Sequence, residues 1–242
     1  MVLGAVFGSF ASMLPHRMPH GLDLLGRRSA CPSCETPLGA RHLFPVLCCC
    51  LSRGRCRLCQ SPVSWRYPLT EVAMVVAFLG VWWVSGGIGI GFSVLAALAF
   101  VLLVMSVIVL EHGYLPDSLQ AAAAVLAVVW HALPAPELVA QALDSVLGLA
   151  VLGGAGLAVK WGFQKLRGRD SFGPGDVKLL AVAGLWLGLG PAPLNLVASG
   201  LGGTALAIVW QRAGLGREFP LGPSLALVLY LRVLFPAATG YI

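Results

Sequence analysis

Charge is what this sequence has least of. Asp, Glu, Lys and Arg make up 11% of its 242 residues, against 58% apolar, and the mean hydropathy is +0.86. A soluble globule carries about twice that charged fraction, so the composition excludes one and describes an all-α polytopic membrane protein. Acids are the scarcer sign, ten against sixteen bases. A carboxylate at a membrane helix therefore calls for a partner or a use. Also missing is a glycine-rich strand-to-helix fingerprint, so nothing in the pattern cradles a nucleotide-like cofactor. The first apolar run lacks the basic leading region of a cleaved signal peptide and is short for a span. A partial span is expected there, or a start codon placed late.

What is present is a series of apolar runs, at 1–14, 69–86, 89–110, 119–133, 138–163, 179–189, 193–210 and 221–235. Several are minimal against the roughly 20 residues that crossing requires. Read as about eight alternating spans, they place 15–68, 111–118, 164–177 and 211–220 on one side. Every Lys and Arg except Arg232 lies in those segments or a few residues from them. By the positive-inside rule that side is cytoplasmic. The net charge of +6 is thus a topological signal with attraction to anionic lipid headgroups, and no nucleic-acid partner is implied.

All seven cysteines fall in the first polar segment. Cys31-Pro-Ser-Cys34 and Cys56-Arg-Leu-Cys59 are separated by 21 residues. Two such knuckles close a tetrahedral thiolate shell around Zn²⁺, and a reducing cytoplasm disfavours the disulfide alternative. Four thiolates leave no open position, so the site reads as structural, in a small zinc-ribbon-like segment. Cys48, Cys49 and Cys50 fit no simple ligand geometry and read as small apolar fillers.

The stretch Phe172–Leu180, FGPGDVKLL, joins a basic loop to an apolar helix. Asp176 stands at the helix mouth, with Gly173 and Gly175 before it and Lys178 after. The glycines allow a tight turn and close approach of a substrate chain. Asp176 is either a functional acid or an N-terminal helix residue favoured by the dipole. The run 107–117, VIVLEHGYLPD, brings Glu111, His112 and Asp117 to the same face. Carboxylates from two helix ends converging on one membrane face suit an aspartic protease: one deprotonates water while the other, protonated, polarises the scissile carbonyl. Capping of the next helix is the simpler role for Asp117. Glu71, one turn into a membrane helix, reads as a paired structural acid. The small residues Gly8, Ser9, Ala11 and Ser12 read as a helix-contact face.

In this order, GSFASMLPHRMP, CPSC, RGRCRLC, RYPLTE, LEHGYLPDSL, FGPGDVKLLA and FPLGPSLAL resemble the type IV prepilin peptidases, GxGD aspartic proteases, over essentially the whole chain. The resemblance implies eight spans in the bacterial inner membrane, with the Cys-rich segment and active site cytoplasmic. It implies cleavage of the leader of type IV prepilins or type II secretion pseudopilins. N-methylation of the new terminus with S-adenosylmethionine is implied by resemblance only. The chain then divides into a partial first helix (1–14), a Cys-rich domain (15–68) and a peptidase domain (69–242). The family's glycine-loop aspartate maps onto Asp176.

One departure matters. The family's other catalytic aspartate lies eight residues before the Leu-Pro-Asp aspartate, and here that position is Val109. Valine neither activates water nor shares a proton. Glu111, two residues on, points about 200° away on a helix and replaces the acid only if the helix ends or unwinds. Three outcomes remain: a working peptidase using Asp176 and Glu111, a silent relative that binds prepilins as an assembly module, and a zinc-ribbon membrane scaffold or transporter.

Overall fold

The computed structural model describes residues 2–18, 34, 55–56, 59–62, 64–133, 138–167, 173–214 and 220–236. Among these are eight helices: α1 (Val2–Arg17), α2 (Arg66–Ser85), α3 (Ile90–His112), α4 (Asp117–Ala132), α5 (Leu138–Arg167), α6 (Pro174–Leu187), α7 (Ala192–Arg212) and α8 (Gly222–Leu234). No strand occurs among the described residues, only an isolated antiparallel bridge between Arg55 and Pro62. Four helices, α2, α3, α5 and α7, are long and apolar enough to cross a membrane. The 14 residues of α6 rise only about 21 Å, against roughly 30 Å of hydrocarbon.

The chain forms two compact units, residues 1–88 and 89–242. In the first, α1 packs along α2. Their approach is close: a Cβ on Gly8 would lie 2.8 Å from the Cα of Glu71, and Glu71 is buried. Small residues exist on α1 because the opposing backbone leaves no room for larger ones.

In the second unit α3 is the apolar centre, with Val104, Met105 and Ile108 fully enclosed. It packs on α4 and α8, while α6 packs on α4, α5 and α8. The left-handed Gly113 (φ 73°) ends α3, its N–H returning to the Val109 carbonyl. That is the usual glycine helix stop. Three residues later Pro116 precedes α4.

Polar ties hold α4 to α6 along their length. Trp186 Nε1 donates to the Ala123 carbonyl at 2.9 Å, and His131 Nε2 lies 3.1 Å from the Leu185 carbonyl. The Leu185 carbonyl, in the last turn of α6, is thus met where water is scarce. Past α6, the Asp144 carboxylate of α5 accepts the Leu189 N–H at 3.2 Å.

Candidate active site

Four helix ends meet in the second unit, those of α3 at its C-terminus and of α4, α6 and α8 at their N-termini. A Cβ on Gly222 of α8 would lie 3.3 Å from both methyls of Val109 and 3.5 Å from Cδ1 of Leu115. A Cβ on Gly175 of α6 would lie 2.8 Å from the Leu115 Cβ. Gly222 and Leu115, the latter in the α3–α4 link, therefore connect position 109 to the glycine turn.

That turn is built as a helix start. Gly173 is the N-cap, Pro174 follows, and Asp176 N–H donates to the Gly173 carbonyl at 3.1 Å. Proline suits the first helical position because its missing N–H would be unpaired anyway. The Gly173 N–H returns a hydrogen bond to the half-buried Asp176 carboxylate, and a Cβ on Gly173 would touch Asp176 Oδ2 at 3.3 Å. Asp176 thus completes a reciprocal cap. A carboxylate held by backbone N–H is also fixed in place for chemistry.

The other acids separate by environment. Helix α3 stays regular through His112, so Glu111 is on a different face from buried Val109 and is exposed. Its Oε2 lies 3.9 Å from His112 Nε2. Asp117 starts α4 and accepts Lys178 Nζ at 2.7 Å. One α-turn on, buried Gln120 donates from Nε2 to the Gly175 carbonyl at 3.3 Å. Neither contact is written in the sequence, since the partners are 61 and 55 residues apart. Asp117, Gln120, Ala121, Ala124, Lys178 and Val182 line a groove of about 310 Å³.

In the first unit, Cys34, Cys56 and Cys59 bring their sulfurs within 4.8 Å of one another. Thiolates around one tetrahedral zinc stand about 3.8 Å apart, so this donor set fits a metal. A turn builds the second knuckle: Cys56 N–H donates to the Ser61 carbonyl and Gln60 N–H to the Cys56 carbonyl, at 2.9 and 3.0 Å. Hydrogen bonding to Ser61 draws the Cys59 thiol below its ordinary pKa, which favours the thiolate a metal takes. Cys31, like Cys48, Cys49 and Cys50, lies outside the described residues.

Residues 2–85 match the model of the bacterial peptidase A24 N-terminal domain, and residues 96–208 that of the type IV leader peptidase family. Similar curated proteins share the name prepilin leader peptidase/N-methyltransferase. That of Burkholderia pseudomallei (strain K96243) is 34% identical, covering 93% of this chain and 81% of the relative. The chain belongs to the type IV leader peptidase family. The Aeromonas hydrophila protein is 33% identical over 95% of this chain and 87% of its own, and that of Pseudomonas aeruginosa 31% over 97% and 89%. No solved structure matches significantly. Leader peptidases are enzymes, and the apolar helices agree with a membrane protein.

For this leader peptidase family member, a first expected result concerns Gly175. Gly175→Val puts a branched side chain where Leu115 stands, so the turn carrying Asp176 must shift. Overpacking of this kind costs about 1–3 kcal/mol. Thermal unfolding in detergent should register that loss, whereas Gly154→Ala, where a Cβ meets nothing within 4 Å, should not lower the midpoint.

Proposed function

We propose that this chain is a prepilin peptidase of the inner membrane in which one half of the catalytic dyad survives. Asp176 is the remaining acid; Gly173, Gly175 and Lys178 form its loop. Val109 occupies the position of the second acid. The observation that carries this reading is a short relay of contacts where four helix ends converge: Gly222 faces both Val109 and Leu115, and Leu115 faces Gly175. An aspartic mechanism needs two carboxyl groups, one charged and one protonated. With a valine in one place, cleavage falls far below what a dyad delivers.

The substrates are prepilins or pseudopilins, whose leader reaches Asp176 from the cytoplasm. Eight apolar runs support eight spans, and the distribution of Lys and Arg supports a cytoplasmic Cys-rich segment. S-adenosylmethionine is implied by the relatives' methyltransferase name, and no residue of this chain is assigned to it.

The test is a leader-cleavage assay on a pseudopilin, with the unmodified chain and its Glu111→Gln variant in lipid. Expected is slow or undetectable cleavage by the chain. Ready cleavage that Glu111→Gln removes would make Glu111 the second acid and overturn the reading.

Cys31, Cys34, Cys56 and Cys59 hold one structural zinc in this reading. Metal analysis should find about one zinc per chain, lost in Cys56→Ser. Stripping it with a chelator should lower the unfolding midpoint of the first unit and should not generate or abolish hydrolytic chemistry.

A further inference from the structure

The start of α4 touches the Asp176 turn on both sides. Gln120 donates to the carbonyl of Gly175, the residue before Asp176, at 3.3 Å. Asp117 takes the Lys178 ammonium, two residues after Asp176, at 2.7 Å. The two α4 side chains are three residues apart, on one helix face. They differ in kind: Gln120 is 3% exposed, whereas the Asp117 and Lys178 side chains are 73% and 54% exposed. The inner contact has a fixed geometry, and the outer one is a screened pair of little strength by itself.

What makes the pair informative is the connection behind it. Only residues 113–116 separate the end of α3, which carries position 109, from the start of α4. A helix start tied by four residues to one half of a dyad, and by hydrogen bonds to both flanks of the other, sets the distance between the halves. We infer that Gln120 and Asp117 are positioning residues that hold the Asp176 turn in register with the end of α3. This rests on the assignment of Asp176 as the surviving acid. Neither residue touches the reacting atoms; each acts through the backbone or side chain beside Asp176.

The expected consequence is local. Without the Gln120 amide, the Gly175 carbonyl loses its donor from α4, the turn is no longer tied to that helix and opens more often, which raises access to the Asp176 carboxylate. Chemical modification reads this without turnover, so a chain that cleaves nothing still reports on it. The full-length chain in detergent micelles is treated with a water-soluble carbodiimide and an amine, and Asp176 modification is followed by peptide mass spectrometry.

Gln120→Met, which keeps the shape and removes the donor, should raise the Asp176 rate at least about threefold. Asp117→Ala should raise it too, and Asp117→Glu, which keeps the ion pair, should not. Removing the Asp117 anion would by itself favour ionised, unreactive Asp176, so faster modification reads exposure and not charge. Trp186→Phe removes a tie of the same two helices further along and should leave the Asp176 rate unchanged. An unaltered rate in Gln120→Met, or an equal rise in Trp186→Phe, overturns the inference. If Gln120→Met does not fold, Asp117→Ala against Trp186→Phe decides in the same way.

Discussion

Val109→Asp is expected to raise leader cleavage by at least about a hundredfold over the unmodified chain, the lower bound of what a positioned acid or base contributes. Aspartate and valine have nearly the same size, so the substitution keeps the packing against Gly222, where the methyls now lie. Val109 is 4% exposed, so the new carboxyl is desolvated; in the proposed dyad with Asp176 the two resist double ionisation and share a proton. That is the state in which one group activates water while the other polarises the carbonyl. Val109→Asn supplies the same shape with no acid and should show no gain. Equal rates for all three chains would mean that position 109 takes no part in hydrolysis.

The second large effect concerns stability. Helices α5 and α6 cross at Gly148 and Gly184, and a Cβ on Gly184 would run into the Gly148 carbonyl and lie 2.7 Å from the Leu149 nitrogen. These neighbours are backbone, which cannot rotate away as a side chain can. Gly184→Val should therefore force the helices apart and cost about 3 kcal/mol or more, the upper end for overpacking. Separated helices also lose dispersion contacts, which in lipid are a main source of association. Gly200→Ala on α7, where a Cβ meets nothing within 4 Å, is the matched control and should be neutral or slightly stabilising. Fluorescence-detected unfolding in detergent checks both; a Gly184→Val midpoint equal to that of the control would mean that the helices do not meet as described.

Hydropathy alone located the helices well and their ends less well. Each apolar run of the sequence lies largely within one of the eight helices, because an apolar stretch in lipid must satisfy its backbone internally. The helices continue past the runs at polar ends: α3 through Glu111 and His112, α5 as far as Arg167, and α6 from Pro174. Hydrogen bonding and glycine or proline signals set those ends, and hydropathy does not measure them. At the site, Asp176 and its glycines stood out by chemistry at a helix mouth. Val109 is unremarkable among apolar neighbours and was picked out only by spacing within a family pattern. Gln120, Asp144 and the Asp117–Lys178 pair escaped notice because their partners lie 45 to 61 residues away. No local period encodes such pairings. The crossing at Gly148 and Gly184 is hidden for a similar reason, since this chain has 30 glycines and their spacing does not say which of them meets an opposing backbone.

Whether residues 109 and 176 face each other is most directly read from cross-linking of paired cysteines. The full-length double variants Val109→Cys/Asp176→Cys and Glu111→Cys/Asp176→Cys would be treated in membranes with a short thiol-reactive cross-linker. Linked peptides would then be mapped by mass spectrometry. Efficient linkage of 109 with 176, and little of 111 with 176, is the expected result. The reverse pattern would place Glu111 opposite Asp176 and contradict the assignment of Val109 to the missing acid.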